Sequence, residues 1–283
     1  MKNVKMGLMT VAEVRSYLEK NQTIILPYGV VEQHGYHLPL DTDIRNAEIM
    51  GAKLAEKLDC IVAPTLNYCF SGGMLPGTIN VKPATFCLLV GEIVESLSRQ
   101  GFKNIIIIPG HGGSESMLAL KEALRMLKWL NPALAQTMIL LTPLWDFSPT
   151  WTGKFKERDY HAAEVETSLI KYWTPEVVRD KIVMDSEAIS EAMRRSPDYF
   201  QHLTAMSSDE HEIPTTTQKK EIEVGVMGYP ERSNPELGRK VTEEVLDNAV
   251  PALKKAITEA DKARTAGTSR VLPSVEDIRI LSL

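Results

Sequence analysis

Apolar residues recur along the chain with two spacings, and these spacings predict strands that alternate with helices. Short apolar runs have the length of buried strands at 23–28, 60–63, 104–109 and 137–144. Apolar positions about one helical turn apart predict helices over 45–58, 84–100 and 116–130. Strands joined by crossover helices are typical of a parallel sheet, so the pattern predicts an α/β fold.

Local end signals support these elements and predict a mainly helical last third. Thr10 and Glu13 have the spacing of a capping box. Further helices are predicted near 162, over 186–194 with Ser186 as the cap, and from Asn234 to about Arg264. The polar stretch 202–220 is predicted to be a long loop. We expect a single domain over 1–283, with 265–283 as a C-terminal arm.

Charge and cysteine usage exclude several classes of protein. The 283 residues include 32 Lys and Arg and 37 Asp and Glu, which gives a formal net charge of −5. This acidity argues against nucleic-acid binding and against a polybasic membrane anchor. No apolar run approaches the ~20 residues of a membrane span. Three scattered cysteines form no disulfide framework, so we expect a reducing, cytoplasmic location.

Metal-binding residue types follow directly after the predicted strand 23–28. They are Glu32, His34, His37 and Asp43. Ligands of open α/β sheets bind beyond the carboxyl ends of strands, and this oxygen and nitrogen set suits Zn, Mn or Fe. The alternative is a hydrogen-bonded turn with a solvated Asp41 and Asp43, but the cluster as a whole favours a metal site. His37 is either an outer partner of a ligand or a turn stabiliser.

Two later segments add histidines at predicted strand or helix ends. His111 lies in a Gly-His-Gly-Gly turn after strand 104–109, where glycines allow close approach of a ligand. His161 precedes a helix with Glu164 and Glu166 in its first turns. Residues two apart on a helix point about 200° apart, so these glutamates are not expected to share an ion. An incidental histidine in a tight turn and acids placed for the helix dipole are the alternatives.

Other features carry weaker signals. The glycine-rich loop 71–78 could wall a pocket, and Trp145 and Trp151 are expected in core or interface packing rather than on a substrate ring. The Gly-x-Ser-x-Gly, P-loop and Gly-x-Gly-x-x-Gly patterns are absent, which argues against the commonest serine hydrolases and nucleotide-binding proteins.

Taken together, five motifs in order resemble the creatininase family, the creatinine amidohydrolases, over roughly residues 7 to 255. The motifs are Glu32-x-His34-Gly35-x-His37-Leu38-Pro39 with Asp43, Pro76-Gly77-Thr78, Gly110-His111, His161 with Glu166-Thr167-Ser168, and Gly225-Val226-x-Gly228-x-Pro230. The resemblance implies a three-layer α/β/α sandwich with a mostly parallel sheet, and subunits assembled into a homohexamer.

The same resemblance implies a site for two divalent metal ions per chain. Glu32, Asp43 and His111 would bind one ion, while His34 and the bridging Asp43 would bind the other. Two ions that share a carboxylate and a water are typical of metal-dependent hydrolases. His161 would act as the catalytic proton shuttle, because an imidazole titrates near neutral pH.

The chain departs from creatininase proper at two places and from many members of the family at a third. Gly113 and Ser114 stand in a pattern similar to a His-Gly-Gly-Asn subgroup, and Gly113 replaces a metal-binding glutamate. Glu166 is our candidate for the missing ligand, with Glu164 as the alternative. Glu157 replaces a tryptophan that covers the substrate, and Ser71-Gly72 replaces a Glu-His pair.

These observations predict a hydrolase that acts on a small polar, cyclic amide or formamide through a metal-activated water. Because the pocket walls differ, one alternative is hydrolytic ring opening of a cyclic polyol ketone, of the keto-inositol (3-dehydro-scyllo-inosose) type, or of a lactone. A second alternative is a non-catalytic metal-binding protein. The predicted partners are a small-molecule substrate and further copies of the chain, without nucleic acid or membrane.

Overall fold

A sheet of parallel strands forms the centre of the molecule. The computed structural model describes residues 4–268. The strands are β1 (Thr23–Tyr28), β2 (Ile61–Val62), β3 (Asn104–Pro109) and β4 (Met138–Leu141), in the order β2-β1-β3-β4. Tyr28 at the end of β1 pairs with Pro109 at the end of β3. The loops that follow these two strands therefore start side by side.

Helices surround this sheet. The α-helices are α1 (Val11–Leu18), α2 (Thr42–Leu58), α3 (Pro83–Gln100), α4 (Ser114–Leu130), α5 (Pro149–Lys156), α6 (Glu164–Trp173), α7 (Glu187–Arg195) and α8 (Pro235–Ala266). Short 3₁₀ turns lie at Met6–Leu8, Pro132–Leu134, Leu144–Phe147, Pro175–Val177, Pro197–Phe200 and Pro230–Arg232. None of the helices within 4–268 combines the length and apolar character needed to span a bilayer.

Alternate side chains of the strands pack into two separate cores. Ile24 of β1 and Ile105 of β3 belong to a core with α1, α3 and α4. Ile25 and Ile106 point to the other face and pack with α2, α6 and α8. Because successive residues of a strand face opposite sides, two covered faces make both strands apolar at nearly every position. The fold is an α/β/α sandwich with a parallel central sheet, which confirms the expected class.

Most element ends lie within three residues of their predicted positions. Thr10 and Glu13 form the predicted capping box, and Asn234 caps α8 through the Leu237 N–H. Strand β4 is shorter than predicted, because Pro143 has no N–H to donate and a 3₁₀ turn starts at Leu144. The predicted cap of α7 is wrong in one respect. Ser186 holds the N-cap position, but its side chain makes no capping hydrogen bond.

The prediction of a long loop over 202–220 is wrong at both ends of this segment and holds for 205–214. Strands β5 (Gln201–Thr204) and β6 (Thr215–Gln218) form an antiparallel hairpin in this segment. Most of their side chains are exposed, so the segment lacks the alternation of apolar and polar residues that marks a half-buried strand. The β-branched threonines of β6 were the remaining strand signal.

The predicted C-terminal arm falls largely outside the described residues. Ala266 ends α8, so the first residues of the predicted arm continue a helix. Residues 269–283 are not described, and the arm and the single-domain organisation stay predictions.

Candidate metal centre

Two glycines at the ends of neighbouring strands let helix α2 approach the sheet closely. A Cβ on Gly29 would lie 2.5 Å from the backbone nitrogen of Ile44, and a Cβ on Gly110 would overlap the carbonyl oxygen of Asp43. Any larger residue at either position would push the first turn of α2 away. The close approach places the side chain of Asp43 between the loops that follow β1 and β3.

Asp43 is buried and lies between two histidines. Its Oδ1 is 3.2 Å from Nε2 of His34, and its Oδ2 is 3.1 Å from Nδ1 of His111. His111 Nδ1 is also 3.2 Å from Oε2 of Glu32. The alternative of a solvated Asp43 is therefore wrong, since this residue is only 1% exposed.

Two groups of donor atoms converge around Asp43. The ligand atoms of Glu32, Asp43 and His111 lie within 4.8 Å of one another, and those of His34, Asp43 and Glu166 do the same. A third such group joins Glu32, His34 and His161. The structure thus brings together every residue that the sequence analysis assigned to a metal or to catalysis.

The hydrogen bonds of His34 fit a cation next to its ring. Its Nδ1 is 3.1 Å from the carbonyl oxygen of Glu32, an atom that can only accept a hydrogen bond. Nδ1 therefore carries the proton in the neutral ring, and the lone pair of Nε2 faces Asp43 and Glu166. A lone pair opposite two carboxylates is repulsive unless a proton or a metal ion lies between them. The buried donor set therefore fits a divalent ion.

Neighbouring carboxylates also raise the pKa values of the two buried histidines, His34 and His111. Burial opposes a charge on His34, yet the nearby Asp43 carboxylate raises the pKa of His34 to about 10. Burial likewise opposes a charge on His111, but Glu32 and Asp43 raise its pKa well above the ordinary value. The raised pKa values of the two histidines favour protonated imidazoles beside the carboxylates when no other cation is present. A metal ion that binds between these histidines and carboxylates would displace the protons from the imidazole rings.

The two candidate glutamates, Glu164 and Glu166, project from helix α6 in different directions. Glu166 Oε2 is 3.7 Å from Nε2 of His34 and accepts a hydrogen bond of 2.6 Å from the Ala162 N–H. Burial raises the pKa of Glu166 to about 7. Glu164 points away, and its carboxylate lies 3.0 Å from Nζ of Lys154. Their directions agree with the helical geometry expected for residues two apart.

His161 lies against the cluster and is held by Gln33. The rings of His161 and His34 are 4.4 Å apart between centroids. Nε2 of His161 is 2.9 Å from both the carbonyl oxygen and the side-chain nitrogen of Gln33. Burial lowers the pKa of His161, which favours a neutral ring that can accept a proton. Gln33 carried no sequence signal besides its place between Glu32 and His34.

Ser71 is a second residue whose role the sequence did not show. Its hydroxyl donates a hydrogen bond of 2.7 Å to Oε1 of Glu32 and accepts one of 3.0 Å from the Gly73 N–H. Such outer partners orient metal ligands. The loop of Ser71, 71–78, is a candidate pocket wall from the sequence, and Ser71, Gly73 and Leu75 line the cavity described below.

His37 lies outside the metal cluster. Its Nε2 is 3.0 Å from the hydroxyl of Thr167 in α6, and its ring is buried. Burial lowers the pKa of His37 to about 4, which keeps the ring neutral. It therefore ties the loop after β1 to helix α6, as a turn stabiliser would.

A cavity of about 530 Å³ opens from the cluster. Its floor contains Glu32, Asp43, His111 and Glu166, and its walls include Trp145 and Trp151. The indole rings lie edge to face at 6.1 Å. Trp151 also packs against the core, as expected, but both tryptophans border the space next to the cluster.

Comparison with known proteins places this geometry in context. The profile of the creatininase family, described as creatinine amidohydrolase, matches residues 7–253. A mycofactocin precursor peptide peptidase of Mycolicibacterium smegmatis is 26% identical over 242 residues, which cover 82% of this chain and 84% of the relative. A 3-dehydro-scyllo-inosose hydrolase of Thermotoga maritima is 27% identical over 186 residues, 63% of this chain and 59% of the relative. The solved structure "Creatininase Mn" shares the fold with a TM-score of 0.70, at 21% identity over 90% of this chain and 98% of its own.

Proposed function

The chain belongs to the creatininase family and is a hydrolase, and we propose that it cleaves a C–N amide bond at a site for two divalent ions. Its relatives are named as a peptidase and an inosose hydrolase, and hydrolysis is what they share. The alternative of a non-catalytic metal-binding protein is therefore dropped. The observation that carries the two-ion site is the position of Asp43, whose two oxygens face two different histidines. The family description, creatinine amidohydrolase, favours an amide as the group that is cleaved.

We assign one ion to Glu32, Asp43 and His111, and the other to His34, Asp43 and Glu166. Each set converges within 4.8 Å, and Asp43 belongs to both. Zn, Mn and Fe all accept this mixture of carboxylate and imidazole ligands. When bound, such ions lower the pKa of a water towards about 7 and polarise a carbonyl group.

The chain's own residues hold and move the proton in this reaction. The water oxygen bonds to the carbonyl carbon, the C–N bond breaks, and a proton must reach the leaving nitrogen. His161 is neutral and lies next to the cluster, so its ring would take the proton that the attacking water loses and pass it to the leaving nitrogen. Gln33 keeps its ring in place, and Ser71 orients Glu32.

A second candidate reaction is hydrolytic opening of a ring at a ketone, as in a keto-inositol, or of a lactone. The inosose hydrolase relative supports the keto-inositol reaction. Ring opening requires the same attacking water and the same polarised carbonyl group as amide hydrolysis. The residues of the metal cluster are therefore compatible with both reactions.

Elemental analysis of protein purified without chelator tests the proposal first. We expect about two divalent ions per chain and loss of turnover in His111→Ala. A panel of creatinine, formamides, lactones and inososes then separates the two reactions. Absence of ions and of uptake of added Zn, Mn or Fe would contradict the proposed site. The hexameric assembly and the cytoplasmic location stay predictions.

A further inference from the structure

The cavity beside the metal centre is large for a small polar substrate. Its volume of about 530 Å³ lies in the range of roughly 300–1,000 Å³ that holds drug-sized ligands. Only the floor consists of the metal cluster. The shape of the remaining space therefore contains information about the part of the substrate that does not react.

Aromatic side chains form much of the wall. Phe155 stacks on Tyr160 with ring centroids 6.3 Å apart, and the edge-to-face pair of Trp145 and Trp151 lines the same cavity. All four are only half-buried, so part of their apolar surface borders the cavity. A Cβ on Gly112 would lie 3.5 Å from Trp145, so this indole lies within one residue of His111. Aromatic surface thus begins next to the cluster.

Outside the metal centre, the charged side chains that line the cavity are acidic. Among the residues of 4–268 that line it, none is Lys or Arg, while Glu115 and Asp198 add carboxylates beyond the metal ligands. The amide of Gln201 donates to both, at 3.0 Å and 3.5 Å. A substrate carboxylate near these residues would meet like charge without a cationic partner.

We propose that the substrate carries an aromatic ring beside the group that is hydrolysed, and no carboxylate on that ring. The ring would pack against Trp151 and Phe155, where offset or edge-to-face contacts are favourable. The proposal rests on the proposed function for the identity of the reacting amide. It replaces the expectation of a small polar molecule with a larger and mainly apolar one.

Binding of matched amides to the intact chain tests this substrate class without requiring turnover. NMR titrations would compare phenylacetamide, acetamide and 4-carboxyphenylacetamide. We expect phenylacetamide to bind at least about tenfold more tightly than acetamide, because it buries a ring. The carboxylate probe should bind about tenfold more weakly than phenylacetamide, and Glu115→Gln should reduce that difference.

Variants of the wall locate the effect. Phe155→Ala should remove most of the preference for phenylacetamide and leave acetamide binding unchanged. Trp151→Leu is the second variant, in case the loss of Phe155 lowers stability. Trp129→Ala is the matched control, since Trp129 lies on α4, outside the cavity lining, with 72% of its surface exposed.

The outcomes separate this proposal from the proposed function. A ring preference that Phe155→Ala abolishes supports the substrate class, even if metal-loaded protein hydrolyses none of the amides. Equal affinity for phenylacetamide and acetamide overturns the substrate class, even if both are hydrolysed. A preference unchanged in both Phe155→Ala and Trp151→Leu also overturns it, because the ring would then bind elsewhere.

Discussion

The imidazole of His111 occupies the space that a side chain at position 113 would need. A Cβ added to Gly113 would overlap Nε2 of His111 and lie 3.0 Å from its Cδ2. The opposite nitrogen of the same ring faces Glu32 and Asp43. A glutamate at this position, which the resemblance assigns to creatininase proper, would therefore displace His111 in this chain.

Gly113→Ala should therefore weaken metal binding at the site that contains His111. We expect the content to fall from about two ions per chain towards about one, and activity to fall at least about tenfold. Elemental analysis and turnover measure both effects. Gly153→Ala is the control, because a Cβ there meets no atom within 4 Å. Full metal content in Gly113→Ala would contradict the assignment of His111.

The two glutamates of α6 should differ sharply in their effect on metal content. Glu166→Gln removes a carboxylate that faces His34, so we expect about one ion per chain. Glu164→Gln removes only the contact with Lys154 and should leave about two. Elemental analysis of the two variants, prepared side by side, decides between them. The reverse result would assign the second site to Glu164.

Ser71→Ala should lower metal affinity without unfolding the chain. The change removes the hydrogen bond of 2.7 Å that orients Glu32, and loss of such an outer partner costs about 10- to 100-fold in affinity or activity. Competition with a chelator measures the affinity. Ser96→Ala on α3 is the matched control, since Ser96 only accepts a bond from Gln100. Equal metal affinity in Ser71→Ala and wild type would show that Ser71 has no orienting role.

Stability should depend on pH through Glu244, which anchors the start of α5. Its carboxylate accepts hydrogen bonds from Ser148 and from Thr150 at 2.7–2.9 Å. Burial opposes its charge, but these bonds hold the pKa of Glu244 below its ordinary value of 4.5. A depressed folded pKa means that the stabilisation is complete above 4.5 and is lost as the pH falls through the folded pKa.

Glu244→Gln should therefore lower the free energy of unfolding by about 1 kcal/mol at pH 7, with the difference shrinking below pH ~4.5. Denaturant unfolding of both proteins across pH 3 to 7, run with Glu259→Gln as an exposed control, measures the difference. A difference that stays constant across this range would exclude the ionised carboxylate as its source.

The sequence by itself determined the layered fold and most of the candidate site. Strands β1 and β3 are apolar at nearly every position, because both faces of the sheet are covered, and that pattern is visible without a structure. Parallel strands end at one edge, so Glu32 and His111 could be expected to meet from their places after these strands. The spacing of Glu164 and Glu166 likewise predicted that they point apart.

The tertiary structure alone decided which contacts complete the site. Ser71 reaches Glu32, and Gln33 reaches His161, through loops whose paths no periodic pattern encodes. The antiparallel β5–β6 hairpin and the aromatic wall around Phe155 also left no regular signal, since their side chains are exposed or half-buried. The spacing of apolar residues indicates which face of a helix or strand is buried, and capping residues indicate where it begins and ends. The direction of a loop, and the distance between side chains far apart in the chain, depend on how all the elements pack together.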